Sequence, residues 1–197
     1  MNTPLARAVC VYCASSGSCD PEYHALARRT GELLAADGRP VVYGGSRVGS
    51  MGAVADGALS RGGRVIGVLP KFLRDMELSH DGLTELQIVE DMRTRKHLML
   101  SQSEAVVALP GGCGTFEELL EAITLKRLGI FLGPIVIVNT RDFYAPLLAL
   151  FDAAIRERFM DERHRDIWQV VATPDEILPA LASAPAWSAE MRKYAAI

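Results

Sequence analysis

Short apolar runs alternate with helix-like patterns along most of this chain. The apolar runs occupy residues 8–13, 40–43, 64–69, 86–89, 105–109, 134–138 and 170–171. Segments with helical character follow at 20–37, 53–60, 91–102, 115–128, 143–159 and 174–182. This alternation predicts an α/β fold with a doubly wound, mostly parallel sheet and helices on both faces.

The pattern continues without a repeat, a low-complexity tract or a dividing linker. At 197 residues and 49% hydrophobic, the chain suits one domain with a substantial core. We expect a single domain over residues 1–197, with its first strand within 7–13 and a tail at 183–197 that carries no chemistry. Residues 71–81 are expected to form a longer connection, and the charged segment 161–164 to be exposed.

The turn at residues 110–118 follows a buried-strand pattern and leads into a helical one. Its three glycines allow the backbone to approach a ligand closely, and a helix N-terminus offers unpaired N–H groups to an anion. A P-loop has Lys and then Ser or Thr directly after its last glycine, whereas Gly114 is followed by Thr115 and Phe116, so the turn is not a P-loop. It is not the dinucleotide-binding fingerprint either, because Glu117 occupies one of the glycine positions of that motif. The turn predicts a phosphate cradle, with a hydroxyl from Thr115 and a carboxylate from Glu118.

Glu118 has two interpretations on this motif alone. Thr115 and Glu118 have the spacing of a capping box, in which the threonine accepts from the amide of Glu118 and the glutamate reaches back to the N–H of Thr115. The alternative is a catalytic carboxylate one helical turn beyond the glycines. The motif by itself leaves both interpretations open.

Two other turns fall at the carboxyl ends of predicted strands. Ser15 and Ser16 follow the first strand, and the glycine-rich segment 44–52 follows the second. Open α/β sheets bind ligands at this edge, usually in one large crevice. We therefore expect these turns to border one pocket, with ordinary turn chemistry and close packing as the alternatives.

Arg95 and Lys96 belong to a helix that Asp91 is predicted to cap. Each is three or four residues from Met92 and from Met99, so both are predicted to share the inward apolar stripe. A cation there is unfavourable unless it is paired or faces a cavity. The two residues predict an anion pocket, and snorkelling toward water is the alternative.

Composition argues against several classes of function. The net charge of −3 disfavours an extended nucleic-acid surface. No apolar run approaches the ~20 residues of a membrane span, and residues 1–7 lack the core of a signal peptide. We expect a cytoplasmic protein that binds neither nucleic acid nor a membrane.

The four cysteines are Cys10, Cys13, Cys19 and Cys113. Cys10 and Cys13 have the spacing of a metal or redox pair, but they lie in a strand-like run and no second Cys or His pair completes a zinc set. We expect both to be buried, reduced thiols and expect no bound metal. Cys113 lies in the glycine-rich turn, where exposure would make it oxidisable.

Two motifs together resemble one protein family. They are Pro-Gly-Gly-x-Gly-Thr-x-x-Glu at 110–118 and Met-x-x-Arg-Lys at 92–96. Over about residues 8–159 the chain is similar to the LOG (Lonely guy) family of cytokinin riboside 5′-monophosphate phosphoribohydrolases, which are often mislabelled lysine decarboxylases. The resemblance implies a Rossmann-like fold, a homodimer, and hydrolysis of the N-glycosidic bond of an AMP-like nucleotide to an adenine-type base and ribose 5-phosphate. No cofactor is expected.

The resemblance also implies which residues act. The catalytic pair corresponds to Glu118 and Arg95. Candidate substrate contacts, from the turns above and from the resemblance, are Ser15, Ser16, Gly44, Gly45, Met51, Glu77, Arg95, Lys96, Gly111, Gly112, Cys113, Gly114, Thr115, Phe116, Glu117, Glu118 and Thr124. The chain departs from the family pattern at Leu125, Lys126 and Arg127, in a helix that borders the pocket and the partner subunit.

A mechanism follows as a hypothesis. Cleavage leaves an oxocarbenium-like ribose and a base that departs with negative charge. Glu118 would stabilise that cation or activate the attacking water. Arg95 would orient Glu118 or the phosphate, and the amides of residues 112–115 would hold the 5′-phosphate.

Two other functions remain as alternatives. One is a non-catalytic nucleotide-binding or carrier module on the same fold. The other is a decarboxylase, which requires a lysine Schiff base with pyridoxal phosphate. The four lysines, Lys71, Lys96, Lys126 and Lys193, have no sequence setting that favours such a role.

Overall fold

The computed structural model describes residues 5–76 and 78–195. Its strands are β1 Val9–Tyr12, β2 Val41–Tyr43, β3 Val65–Pro70, β4 Glu85–Val89, β5 Ala105–Ala108, β6 Ile135–Val138 and β7 Gln169–Val171. They form one seven-stranded sheet in the order β4-β3-β2-β1-β5-β6-β7, and every neighbouring pair is parallel. The predicted α/β fold with a parallel, doubly wound sheet is confirmed.

Helices connect the strands and cover the sheet. They are α1 Pro21–Ala36, α2 Gly49–Ser60, α3 Lys71–Arg74, α4 Met92–Ser101, α5 Cys113–Arg127, α6 Ala145–Arg156 and α7 Ile177–Ser183. Short 3₁₀ segments lie at Thr140–Asp142, Glu162–Ile167, Pro174–Glu176 and Ala189–Tyr194. No helix among the described residues is both long and apolar enough to cross a membrane.

The sheet separates two apolar cores. Val9 and Val11 of β1 pack on the side that α1, α2 and α7 cover. Cys10 and Tyr12 point to the other side, which α4, α5 and α6 cover. Because the central strands are buried on both faces, they appear in the sequence as continuous apolar runs without polar alternation.

The order of the strands places a crevice beside β1. The chain moves from β1 outward to β4, then returns past β1 to continue with β5, β6 and β7. The loops after β1 and β5 therefore leave the sheet in opposite directions, although the strands themselves are adjacent: the Leu109 amide donates to the Tyr12 carbonyl at 2.9 Å. Such a switch point is where open α/β sheets bind ligands.

Two predicted helix starts are confirmed by their caps. The Asp20 side chain accepts from the amide of Glu22 at 3.0 Å at the start of α1. The Asp91 side chain accepts from the amide of Thr94 at 2.7 Å at the start of α4. Each carboxylate satisfies an N–H group that has no acceptor within its own helix.

Two predicted segments differ in the structure. Helix α2 begins at Gly49, four residues before the predicted start at residue 53. Gly49 has a φ of +64°, and a Cβ there would lie 2.4 Å from the Ser16 carbonyl oxygen, so the glycine turn packs directly on the serine turn. The predicted connection 71–81 contains the short helix α3, and the predicted contact Glu77 lies outside the described residues.

The expected exposure of the segment 161–164 is wrong for His164 only, since Glu162 and Arg163 are exposed. His164 is fully buried, because its Nδ1 accepts the Asp161 amide at 3.0 Å and the ring faces Trp187. Trp187 is buried as well and donates from Nε1 to the Lys126 carbonyl at 2.7 Å. Trp187 therefore packs against the end of α5 and is part of the core on that side.

Candidate active site

A cavity of about 300 Å³ opens at the carboxyl ends of β1 and β5. It lies between the loop after β1, the start of α2, the helix α4 and the first turns of α5. Ten predicted site residues line it: Ser15, Ser16, Met51, Arg95, Gly112, Cys113, Gly114, Thr115, Glu117 and Glu118. As expected, the loop after β1 and the turn at 110–118 border one pocket, whereas the segment 44–52 contributes only Met51 to its lining.

Other predicted contacts do not line this cavity. They are Gly44, Gly45, Lys96, Gly111, Phe116 and Thr124. The Phe116 ring packs instead near Phe143 and Tyr144, with centroids 6.1 and 6.2 Å away. The Thr124 hydroxyl donates to the Leu120 carbonyl of its own helix at 2.8 Å.

Three lining residues were not among the predicted contacts. They are Cys13, Ala14 and Met92. Cys13 and Ala14 directly precede the predicted Ser15, so the strand end itself could have indicated them. Met92 begins the Met-x-x-Arg-Lys motif, but its spacing was interpreted only as a core position. In the structure its sulfur is 3.7 Å from Arg95 Nη1.

Helix α5 begins three residues earlier than a capping box at Thr115 requires. Gly112 is its N-cap and forms no side-chain cap, so Thr115 is the third residue of the helix. Glu118 therefore cannot reach back to an N-cap amide, and its capping interpretation is wrong. The amides of residues 113–115 belong to the first turn, where N–H groups have no acceptor within the helix, and these residues line the cavity.

Glu118 is a buried carboxyl group at the wall of the cavity, with 4% of its surface exposed. Burial raises its pKa from 4.5 to about 7, and the positive charge of Arg95 is the largest opposing influence. No side-chain or backbone donor from residues 5–76 or 78–195 hydrogen-bonds to this carboxylate. The carboxylate is therefore poised to exchange a proton near neutral pH and can accept a bond from a ligand.

Arg95 is buried and is held by backbone oxygens. Its Nη2 donates to the Gly44 carbonyl at 2.8 Å and its Nε donates to the Val68 carbonyl at 3.1 Å. Burial lowers the pKa of the guanidinium, and Glu118 is the largest influence that raises it. Arg95 and Glu118 form no ion pair within 4.0 Å, although both line the cavity and each shifts the pKa of the other.

Lys96 has a different environment from its neighbour. Its Nζ forms ion pairs with Glu117 and, at 3.2 Å, with Glu121. These contacts raise the pKa of Lys96, and the hydrogen bond that its ammonium donates to Glu117 is the main cause. The prediction that both cations share one inward stripe is therefore correct for Arg95 only, because a rotation of about 100° per residue directs Lys96 toward the surface of α5.

A larger groove lies on the outer side of α4. Its volume is about 640 Å³, and its walls include Lys96, His97, Leu125, Ile130 and Phe131. The groove lacks the buried carboxyl group of the smaller cavity, and the helix N-terminus at its edge, that of α4, is already capped by Asp91. The smaller cavity is therefore the better candidate for chemistry.

The cysteines agree with their predicted environments. Cys10 and Cys13 are free and buried, and burial raises the pKa of both thiols. Cys113 is free and exposed. In the described residues, no group of three or more His, Cys, Asp and Glu side chains is arranged to hold a metal ion.

Comparisons with known sequences point to one group of enzymes. A family profile described as "Possible lysine decarboxylase" matches residues 51–181. A protein of Rhodococcoides fascians named cytokinin riboside 5′-monophosphate phosphoribohydrolase is 42% identical over 158 residues, which is 80% of this chain and 80% of that protein. A protein of Arabidopsis thaliana with the same enzyme name is 41% identical over 170 residues, covering 86% of this chain and 77% of its own length.

Comparisons with solved structures agree on the fold. The molybdenum cofactor carrier protein of Chlamydomonas reinhardtii superposes with a TM-score of 0.69 at 21% identity, over 93% of this chain and 98% of that one. The molybdenum cofactor binding protein of Rippkaea orientalis gives a TM-score of 0.67 at 20% identity over the same shares. At this identity the likeness concerns the fold alone.

Proposed function

The chain belongs to the LOG family of cytokinin riboside 5′-monophosphate phosphoribohydrolases, and on that premise we propose that the smaller cavity, at the carboxyl ends of β1 and β5, is its active site. The protein hydrolyses the N-glycosidic bond of an AMP-like nucleoside 5′-monophosphate and releases an adenine-type base and ribose 5-phosphate. The observation that carries the placement is the meeting, in one cavity, of a buried carboxyl group, a buried guanidinium and a helix N-terminus.

Glu118 is the proposed catalytic carboxylate. As the bond to the base breaks, positive charge develops on the anomeric carbon and the ring oxygen of ribose. An ionised carboxylate nearby stabilises this charge or removes a proton from the attacking water. A pKa of about 7 leaves a substantial ionised fraction at neutral pH and makes that carboxylate a stronger base than an exposed glutamate.

The first turn of α5 is the proposed site for the 5′-phosphate. The amides of residues 113–115 and the positive end of the helix dipole favour a doubly charged anion at this point. Glu117 lies beside this site, but its ion pair with Lys96 offsets the negative charge that would otherwise repel a phosphate. We propose that Arg95, opposite Glu118, orients the sugar phosphate or balances the charge of the departing base.

We also propose a homodimer in the cytoplasm. Four large apolar side chains lie exposed on α5 and the loop after it: Leu120, Leu128, Ile130 and Leu132. Burying such a patch against a second copy would remove it from water. Four free cysteines fit a reducing compartment.

The test is incubation of the purified protein with AMP and with isopentenyladenosine 5′-monophosphate, followed by chromatography of the free base. We expect release of base and ribose 5-phosphate, and the ratio of the two rates identifies the preferred substrate. Glu118→Gln should reduce turnover on the order of 10²- to 10⁴-fold while nucleotide binding persists. Glu121→Gln is the matched control, because it removes an exposed carboxylate one turn further along the same helix.

Two outcomes would favour the alternatives. If AMP raises the melting temperature but no base is released, the protein is a nucleotide-binding or carrier module. If the purified protein carries an absorption band of pyridoxal phosphate, the decarboxylase interpretation gains support. Near wild-type rates for Glu118→Gln would remove the carboxylate from the mechanism.

A further inference from the structure

Gly44 and Arg95 are so close that a side chain at position 44 would displace the guanidinium. A Cβ atom on Gly44 would lie 2.0 Å from Arg95 Nη2 and 3.0 Å from the terminal carbon of Met51. Gly44 has an ordinary backbone conformation, since its φ is not among the positive values. Its requirement for glycine therefore comes from the space that the guanidinium occupies.

The same contact forms a seat for the guanidinium. Nη2 donates to the Gly44 carbonyl, just beyond β2, and Nε donates to the Val68 carbonyl of β3. Two neighbouring parallel strands thus fix the side chain of a residue on α4. Both acceptors are uncharged, so the positive charge remains available to act across the cavity on Glu118.

We propose that Gly44 is a positioning residue that acts through Arg95: its missing side chain and its carbonyl oxygen hold the guanidinium at a set separation from Glu118. Gly44 itself is buried and does not line the cavity, so this role differs from the substrate contact expected from the sequence. The inference rests on the proposed active site but concerns its electrostatics, which can be measured without turnover.

The charges around Glu118 determine what a displaced guanidinium would do. Arg95 and Lys96 lower the pKa of Glu118, whereas Glu117 and Glu121 raise it. Lys96 is already paired with both of those carboxylates. Glu118 is the acidic group with the strongest influence on Arg95, so a guanidinium expelled from its seat should move into the cavity toward Glu118.

The experiment is a titration of the Glu118 carboxyl carbon by NMR in protein labelled with ¹³C-glutamate, with Glu118→Gln used to assign the signal. Gly44→Ala should lower the titration midpoint by about one pH unit, because an opposite charge in direct contact favours the ionised form. Arg95→Gln is the reference for complete loss of the charge and should raise the midpoint. Base release by Gly44→Ala should fall on the order of 10²-fold, since misplacing a reacting group is enough to produce such a loss.

Gly17→Ala is the matched control. Gly17 lies in the neighbouring turn, and a Cβ there would be 3.8 Å from Val48, an ordinary contact. This variant should titrate and turn over like the wild type. If Gly44→Ala does not fold, Arg95→Lys serves instead: it keeps the charge but its single ammonium cannot bridge both carbonyls, so the midpoint should again move.

The outcomes separate the proposal from the proposed function. An unchanged Glu118 midpoint in folded Gly44→Ala, or in Arg95→Lys where the first variant fails, would overturn the positioning role even if activity fell. A midpoint that moves to higher pH would place the guanidinium farther away and would still support a separation set by Gly44. If the wild type released no base, the proposed function would fail while the titration still decided the role of Gly44.

Discussion

Arg95 and Glu118 line one cavity from two different helices without forming an ion pair within 4.0 Å. The carbonyls of Gly44 and Val68 hold the guanidinium, and no donor in the described chain hydrogen-bonds to the carboxylate. Each charge nevertheless shifts the pKa of the other. In the proposed mechanism this matters because a direct contact between the two groups would neutralise the charges that are to act on the substrate.

Base release should increase with pH through about pH 7. The proposed mechanism uses the ionised carboxylate of Glu118, and burial places its pKa at about 7. The measurement is kcat/KM for AMP across a range that extends two units on either side of this value. Glu118→Gln should show its residual rate without this acid limb. A wild-type profile that stays flat through this region would contradict the role of Glu118.

Glu118→Gln should also change stability in a pH-dependent way. The pKa of Glu118 is raised from 4.5 to about 7 in the folded protein, so the folded chain binds this proton more tightly than the unfolded chain. The resulting stabilisation is complete below about pH 4.5 and is lost as the pH rises through 7. Relative to wild type, the variant should therefore gain up to ~3 kcal/mol between acid and mildly alkaline pH.

Urea unfolding of both proteins at several pH values measures this gain. The exposed variant Glu121→Gln controls for the general effect of removing a carboxylate from α5. If the difference in unfolding free energy between wild type and Glu118→Gln did not change with pH, the pKa of Glu118 would not be raised in the folded protein.

Gly111→Ala should reduce mainly the stability of the fold, whereas Gly112→Ala should reduce mainly the binding of the nucleotide. A Cβ on Gly111 would lie 2.1 Å from Oγ1 of the buried Thr115, so this variant should lose ~1–3 kcal/mol of unfolding free energy. A Cβ on Gly112 would meet no atom within 4 Å, so stability should change little. It would, however, project where a phosphate approaches the first turn of α5. Chemical denaturation and calorimetric AMP titration of the two variants distinguish these effects, and similar stabilities for both would contradict the prediction.

Lys126→Met should stabilise the protein at neutral pH. Lys126 is buried beneath Trp187, with Nζ 5.8 Å from the ring centroid, and burial lowers its pKa from 10.5 to about 8. A lowered lysine pKa destabilises the fold below pH 8, and the penalty disappears as the pH rises toward 10.5. After loss of the cation–π contact, the net gain at pH 7 should be ~1–2 kcal/mol.

Thermal or urea unfolding at neutral and alkaline pH checks the Lys126 prediction. The gain should shrink at alkaline pH, and base release should remain unchanged, because Lys126 does not line the cavity. Lys193→Met, in the exposed part of the tail, is the control. A variant that is less stable than wild type at pH 7 would show that the ammonium stabilises the fold.

Ile130→Asp should separate the proposed dimer. Ile130 follows α5 and is 69% exposed, in the same region as the exposed Leu128. A charge at the centre of a buried apolar contact would be desolvated without a partner, so the variant should elute as a monomer. Light scattering after size exclusion measures the mass. Phe159→Asp, at an equally exposed site beyond α6, should leave the mass unchanged; a dimeric Ile130→Asp would place the interface elsewhere.

Sequence patterns were most informative where local physics decides the structure. The apolar runs predicted every strand to within about two residues, and they are clearest for the central strands, because strands buried on both faces exclude polar side chains. Asp20 and Asp91 identified helix starts, because a capping carboxylate acts on amides two or three residues away. The glycines of 110–118 predicted a phosphate cradle for a similar reason. Close approach of a ligand to the glycine backbone and the free N–H groups of a helix start both depend on a few consecutive residues.

Tertiary structure decided which groups meet. Glu118 had two local interpretations, and the start of α5 at Cys113 removed one of them. Arg95 and Lys96 are adjacent in sequence, but different elements surround them. Arg95 donates to backbone carbonyls just beyond β2 and within β3, whereas Lys96 forms ion pairs with two glutamates of α5.

The burial of His164 was also decided by tertiary structure, because the tail that covers it lies more than twenty residues further along the chain. Local sequence patterns were therefore enough to predict the elements, the fold class and the family. The separation of Arg95 from Glu118, the seat beside Gly44 and the elevated pKa of Glu118 required the folded chain, because distance and burial arise only when remote segments pack together.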